Sequence, residues 1–156
     1  MNLKDILSPD STRVAVAENS KKKILELVSQ LVAPKLAGVS KADIFASLLQ
    51  RERLGSTGIG LGIAIPHGRL ENAGQPVAAL LTLASPVDFD SIDNQPVDII
   101  FALLVPKENP EMHLQTLSAV ASQLNQKDCC RALRQAATSA ELYEAFTKDY
   151  EPNPCN

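Results

Sequence analysis

Two stretches, Val77 to Ala84 and Val97 to Val105, are apolar almost without interruption, and they limit the possible folds more than anything else in the chain. A strand with one wet face alternates apolar and polar residues, so runs apolar at nearly every position must be covered on both faces. A shorter run of the same kind spans Ile63 to Ile65. The longest wholly apolar run, Ile99 to Val105, is far too short for a bilayer, which takes about 20 such residues in a helix. These runs are therefore buried strands. With Trp absent and aromatic residues at 4%, the core is aliphatic.

Helical patterns stand on both sides of this block. Around Leu3 to Leu7 a short helical turn is expected, and the alternation about Val14 and Val16 predicts a strand from Thr12 to Ala17. Ser20 can cap a helix with Ile24, Leu27, Val28 and Leu31 on one face, ending near Pro34. Ser40 starts a second helix, with Asp43 in the capping-box place and Ile44, Leu48 and Leu49 inward. It stops at about Arg53, before Gly55. Asn109 and Pro110 open a third, with Leu114, Leu117, Ala121 and Leu124 as its expected stripe. A further helix is predicted over Asp128 to Ala137, and a last one capped by Ser139 with Leu142, Ala145 and Phe146 inside. Pro86 to Pro96 reads as a turn-rich loop.

Strands in the middle and helices at both ends predict an α/β domain of three layers, a central mixed β-sheet flanked by helices on both faces. At 156 residues the chain suits one such domain, placed at residues 1–150. Residues 151–156, which contain Pro152 and Pro154, are expected to be a flexible C-terminal tail. Periodicity leaves the strand order open.

Charge and cysteine usage exclude several functions. The net charge of −3 gives no field for nucleic acid or an anionic membrane. Lys21, Lys22 and Lys23, the only basic run, read as the solvated start of a helix. Three cysteines, two of them the adjacent Cys129 and Cys130, make no secreted disulfide framework, which fits a reducing, cytoplasmic setting. No membrane insertion is expected. Adjacent helical cysteines face different ways, so the pair reads as buried helix residues rather than a redox couple.

The stretch GSTGIGLGIAIPHGRL, residues 55–70, holds five of the seven glycines and one of the two histidines. Gly58, Gly60 and Gly62 allow tight turns and bare amides that can face an anion, although a loop without function uses glycine in the same way. The stretch lacks the Gly-Lys-Ser/Thr ending of a phosphate-binding loop and opens no dinucleotide-binding helix. Pro66 holds Ile65 extended and is expected to stop the ladder just before His67, leaving that ring at a strand end with Gly68 behind it and Arg69 beside it. His113, the other histidine, falls in the first turn after Asn109 and Pro110, where the helix dipole disfavours a protonated ring. Its neighbours Leu117 and Val120 point it inward. It reads equally as a helix-start histidine bonded to a loop. Neither histidine has a Cys or carboxylate at ligand spacing, so no metal site is predicted, and no cofactor is implied. A serine-hydrolase motif is also missing.

Three segments, RERLGSTGIGLGIAIPHGRL, FDSIDNQPVDIIFALLVP and MHLQTL, resemble the enzyme IIA proteins of the phosphoenolpyruvate-dependent phosphotransferase system, fructose/mannitol class, and within it the nitrogen-related regulatory type. The likeness runs over about residues 3–147. It implies that His67, in Pro-His-Gly, accepts a phosphoryl group from the phosphohistidine of an HPr-like phosphocarrier. It further implies that His113 stabilises that group and that Arg51, at the end of the helix before the glycines, binds it. A helix C-terminus also favours a cation at Arg51 for its own sake. Histidine suits the acceptor role because its ring is neutral and nucleophilic near pH 7. The glycines are then expected to let donor, loop and oxyanion approach the ring.

The family usually has Asn where this chain has Leu61, so an amide is replaced by an apolar group, and transfer rate or donor choice is open to change. The resemblance implies regulation of targets such as transporters or sensor kinases according to phosphorylation state, with no sugar-specific IIB or membrane IIC segment attached. Two alternatives stay open: a free-standing sugar-transport IIA that passes phosphate to a IIB protein, and a binding module whose output ignores phosphorylation.

Overall fold

The computed structural model describes residues 3–71 and 73–150. The tail expected at 151–156 lies outside the described residues. Six strands form one mixed sheet: β1 (Thr12–Val16), β2 (Gly58–Gly60), β3 (Ile63–Ala64), β4 (His67–Leu70), β5 (Val77–Val87) and β6 (Val97–Pro106). Their order is β1-β5-β6-β3-β2, with β4 continuing the line of β3 along β6. β5 and β6 run antiparallel, β1 lies parallel to β5, and β3 and β4 lie parallel to β6.

Burial explains why the two long runs do not alternate in polarity. Val77, Ala79, Leu81, Ile100, Ala102 and Leu104 pack into one core, under helices α1 (Lys21–Val32) and α2 (Lys41–Leu54). Ala78, Leu80, Ile99, Phe101, Leu103 and Val105 pack into the other, under α3 (Pro110–Leu124), α4 (Lys127–Gln135) and α5 (Ser139–Thr147). Successive residues point to opposite faces, and both faces are covered, so every position but Thr82 and Asp98 is apolar. The three-layer expectation holds.

The helix starts follow their caps. Ser20 Oγ accepts from the Lys23 amide at 3.2 Å, Ser40 Oγ from Asp43 at 3.1 Å, and Asn109 Oδ1 from Met112 at 3.1 Å. The last helix departs from expectation by one residue: Thr138 is its cap, accepting from Glu141 at 3.1 Å, and the Ser139 hydroxyl instead donates to the Thr12 carbonyl at 2.8 Å. In α3 the buried positions are His113, Thr116, Val120 and Leu124, while Leu114 and Ala121 face solvent. The true stripe keeps helical spacing but includes two polar side chains, which a count of apolar residues passes over. Cys129 and Cys130 are buried, and burial pushes the Cys129 thiol up to about 12, as expected of inert core residues.

Pro66 does not end the ladder. Its carbonyl accepts from the Leu103 amide at 2.9 Å, and pairing with β6 resumes at His67 opposite Leu103. Pairing to β2 closes one residue earlier, where Ile65 N–H donates to the Thr57 carbonyl at 2.9 Å. A strand residue sends its N–H and its carbonyl to the same side, so the N–H that Pro66 lacks would have faced β6; one ladder bond is missing there, and the pairing breaks between β3 and β4 before it resumes.

Candidate functional site

His67 begins β4, whose one ladder partner is β6, so the ring stands at an edge of the sheet. Its Nδ1 lies 2.8 Å from the Ile65 carbonyl oxygen. A carbonyl only accepts, so Nδ1 carries the proton and Nε2 keeps its lone pair. Arg51, in the last turn of α2, donates its Nε–H to that Nε2 at 3.3 Å and an Nη1–H to the Gly55 carbonyl at 2.9 Å. His113, from the first turns of α3, places its ring centroid 5.5 Å from that of His67. The structure thus brings His67, His113 and Arg51 together from a strand and two helices.

The three line a cleft of about 350 Å³, with Ser47, Lys107 and Arg69 adding two further cations to its wall. Leu54, 82% exposed, rims it. α2 reaches the cleft because residue 68 has no side chain: a Cβ on Gly68 would stand 2.3 Å from Ser47 Oγ and 3.3 Å from the Ser47 carbonyl carbon. Gly68 therefore admits the helix that carries Arg51. A larger open hollow of about 660 Å³ between α4 and α5 is walled by mixed charges such as Asp128, Arg131 and Glu144, and no histidine lines it.

Electrostatics keep both rings neutral near pH 7. Burial pushes the His67 imidazole below its ordinary value, and the Arg51 and Arg69 cations act the same way, against the Ile65 hydrogen bond and the Glu52 carboxylate. Burial likewise lowers His113, helped by His67 and Arg69. The Nδ1 of His113 is buried with no hydrogen-bond partner among the described residues. No group of three His, Cys, Asp or Glu side chains placed to hold a metal ion occurs among the described residues.

The glycine-rich stretch does not do what the sequence suggested. Leu61 and Gly62 connect β2 to β3 with φ of 59° and 79°, the two left-handed residues of a type I′ hairpin. Side chains from two other elements hold this turn: Asp93 Oδ2 accepts from the Leu61 amide at 3.0 Å, and Arg134 Nη2 donates to the Leu61 carbonyl at 2.8 Å. Ile63 pairs with Ile99 and His67 with Leu103, so four residues of extended chain, about 13 Å, separate the turn from the ring. Gly58, Gly60 and Gly62 meet Ser91, Asp93 and Asp98, and no amide of the turn lines the cleft. Leu61, 74% exposed, is likewise outside it. A type I′ turn prefers Asn-Gly, which gives a backbone reason for the Asn usual at this place.

Sequence reasoning missed what stands behind the site. Glu52, with only 3% of its side chain exposed, pairs with Lys21 Nζ at 3.0 Å. It also accepts from the Thr57 amide at 3.2 Å and from the Thr57 hydroxyl. Lys21 is therefore no free solvated charge. A signal was present: an acid in the last turn of a helix opposes the dipole, which calls for a specific partner.

A profile described as phosphoenolpyruvate-dependent sugar phosphotransferase system, EIIA 2, matches residues 5–149. The chain belongs to this family. A nitrogen regulatory protein of Klebsiella oxytoca is 48% identical over 149 residues, covering 95% of this chain and 91% of that protein. The crystal structure of nitrogen regulatory protein IIA-Ntr from Neisseria meningitidis matches with a TM-score of 0.87 at 36% identity, over 93% of this chain and 99% of that one. IIA mannitol from Escherichia coli, at 15% identity, shares the fold with a TM-score of 0.74, over 89% and 97%. Within the family the chain groups with the nitrogen regulatory proteins. No helix among the described residues is long and apolar enough to cross a membrane.

Proposed function

We propose that the protein is a cytoplasmic phosphohistidine signalling component that accepts a phosphoryl group on His67 Nε2 from an HPr-like phosphocarrier of the nitrogen branch. The observation that carries this reading is the ring's setting: Nδ1–H is spent on the Ile65 carbonyl, and the Nε2 lone pair faces the Arg51 guanidinium. In the transfer, Nε2 forms a bond to phosphorus while the P–N bond to the donor imidazole breaks, and the donor ring keeps the electron pair. Arg51 exchanges the lone pair for an equatorial phosphoryl oxygen, and His113 faces the same group. Such transfer depends on alignment and charge stabilisation, which these residues supply.

The phosphorylated cleft gains about two negative charges, enough to change which transporter or sensor kinase surface it binds. The test is single-turnover labelling by a phosphorylated HPr-like carrier. His67→Ala abolishes acceptance, and Arg51→Ala or His113→Ala slows it at least ~10-fold, about 1.4 kcal/mol of barrier. Undiminished labelling of the His67 variant overturns the assignment. Identical target binding by wild type, His67→Ala and His67→Asp overturns the switch alone.

A further inference from the structure

The bonds behind His67 form one continuous line to a buried carboxylate. The ring is held by the Ile65 carbonyl, and Ile65 N–H in turn donates to the Thr57 carbonyl at 2.9 Å. Thr57 is held twice by Glu52, through its amide at 3.2 Å and through its hydroxyl. Glu52 directly follows Arg51, whose guanidinium meets the other ring nitrogen. One side chain therefore grips both the segment that fixes Nδ1 and the helix turn that carries the cation at Nε2.

Stability alone accounts poorly for this arrangement. An ion pair taken out of water loses solvation that its own attraction barely repays, and an acid in a last helical turn opposes the dipole. Lys21, which neutralises Glu52, also lies 3.4 Å from Asp90 and 5.1 Å from the centre of the Phe89 ring, so α1 and the loop before β6 brace the same point. The charges that face His67 are Arg51 and Glu52 from α2, Arg69 from β4 and, beside it, the neutral His113 from α3.

We propose that Glu52 is a positioning residue for phosphoryl acceptance, fixing the Nδ1–H tautomer of His67 through Thr57 and Ile65 while it holds the turn of Arg51, with Lys21 as its counter-ion. This rests on His67 being the acceptor. Glu52 touches neither donor nor phosphoryl group. It acts by keeping one ring nitrogen committed as a donor, so that the other is the nucleophile.

The experiment uses the full chain, unphosphorylated, with 15N NMR of His67 to read tautomer populations and pKa, alongside single-turnover transfer from a phosphorylated HPr-like carrier. Glu52→Gln lowers the His67 pKa, reduces the Nδ1–H population and slows transfer at least tenfold. Thr57→Val, which keeps the carboxylate, reduces the Nδ1–H population and the rate with a smaller change in pKa. Asp90→Asn, at an exposed site, leaves all three unchanged. Should Glu52→Gln not fold, Thr57→Val decides by its tautomer and rate. Folded variants with wild-type tautomer populations and wild-type rates overturn the role of Glu52 while leaving His67 as acceptor. Failure of wild type itself to accept phosphate overturns the acceptor reading instead.

Discussion

Replacing Leu61 by Asn separates the turn from the chemistry. Leu61 has φ 59° and is followed by Gly62 at 79°, and its amide and carbonyl are tied to Asp93 and Arg134. The turn therefore has no means of relaxing out of the left-handed region. A residue with a branched apolar side chain pays about 1–2 kcal/mol there, which Asn largely avoids. Against this, Leu61 is 74% exposed, so the burial lost is about a quarter of a leucine, roughly 0.5 kcal/mol. Leu61→Asn is expected to stabilise the fold by about 1 kcal/mol, raising Tm by about 2–4 °C. Leu61→Gly relieves the same strain but frees the unfolded chain, so it gains less. Urea unfolding followed by circular dichroism measures both, and phosphoryl transfer is expected to stay at the wild-type rate because the turn lies outside the cleft. A less stable Asn variant refutes the strain argument. A changed transfer rate refutes the separation of turn and site.

Two further outcomes follow from the cleft. Gly68→Ala puts a methyl 2.3 Å from Ser47 Oγ and pushes α2 off β4, so it is expected to cost about 1–3 kcal/mol and to slow transfer by displacing Arg51. Adding Ser47→Gly is expected to recover part of both losses, measured by urea unfolding and labelling rate. The lowered pKa values of His67 and His113 mean that the unfolded chain takes up protons first on acidification. The stability they contribute is fully present above about pH 6.5 and falls as pH drops from there towards the folded-state values. Urea midpoints between pH 5 and 8 are expected to decline on the acid side, and labelling is expected to fail as Nε2 becomes protonated. A stability that is flat or rises on acidification through this window contradicts the assignment of neutral, buried rings.

The layers were legible because almost uninterrupted apolar runs have one physical meaning in a chain this short. Val77 to Ala84 and Val97 to Val105 had to be covered twice, and the capped helices on either side were the only material to cover them. His67, His113 and Arg51 were legible as a group through the family resemblance, and the fold brings them within reach of one another. Two things were not legible. Polar side chains inside a helical stripe, His113 and Thr116, shift the buried face of α3 away from Leu114, and periodicity of apolar residues has no means of seeing that. The glycines stood close to His67 in sequence, yet extended chain carries them away from it, so sequence proximity misled about the loop. Long-range pairs such as Lys21 with Glu52 depend on strand order, which local patterns leave open.

The measurement that bears most directly on the account is intact-protein mass spectrometry after incubation with phosphoenolpyruvate, its general phosphotransferase and an HPr-like carrier, on wild type and His67→Ala. The account predicts a single acid-labile phosphoryl group on wild type and none on the variant. Labelling of both proteins alike, or of neither, contradicts it.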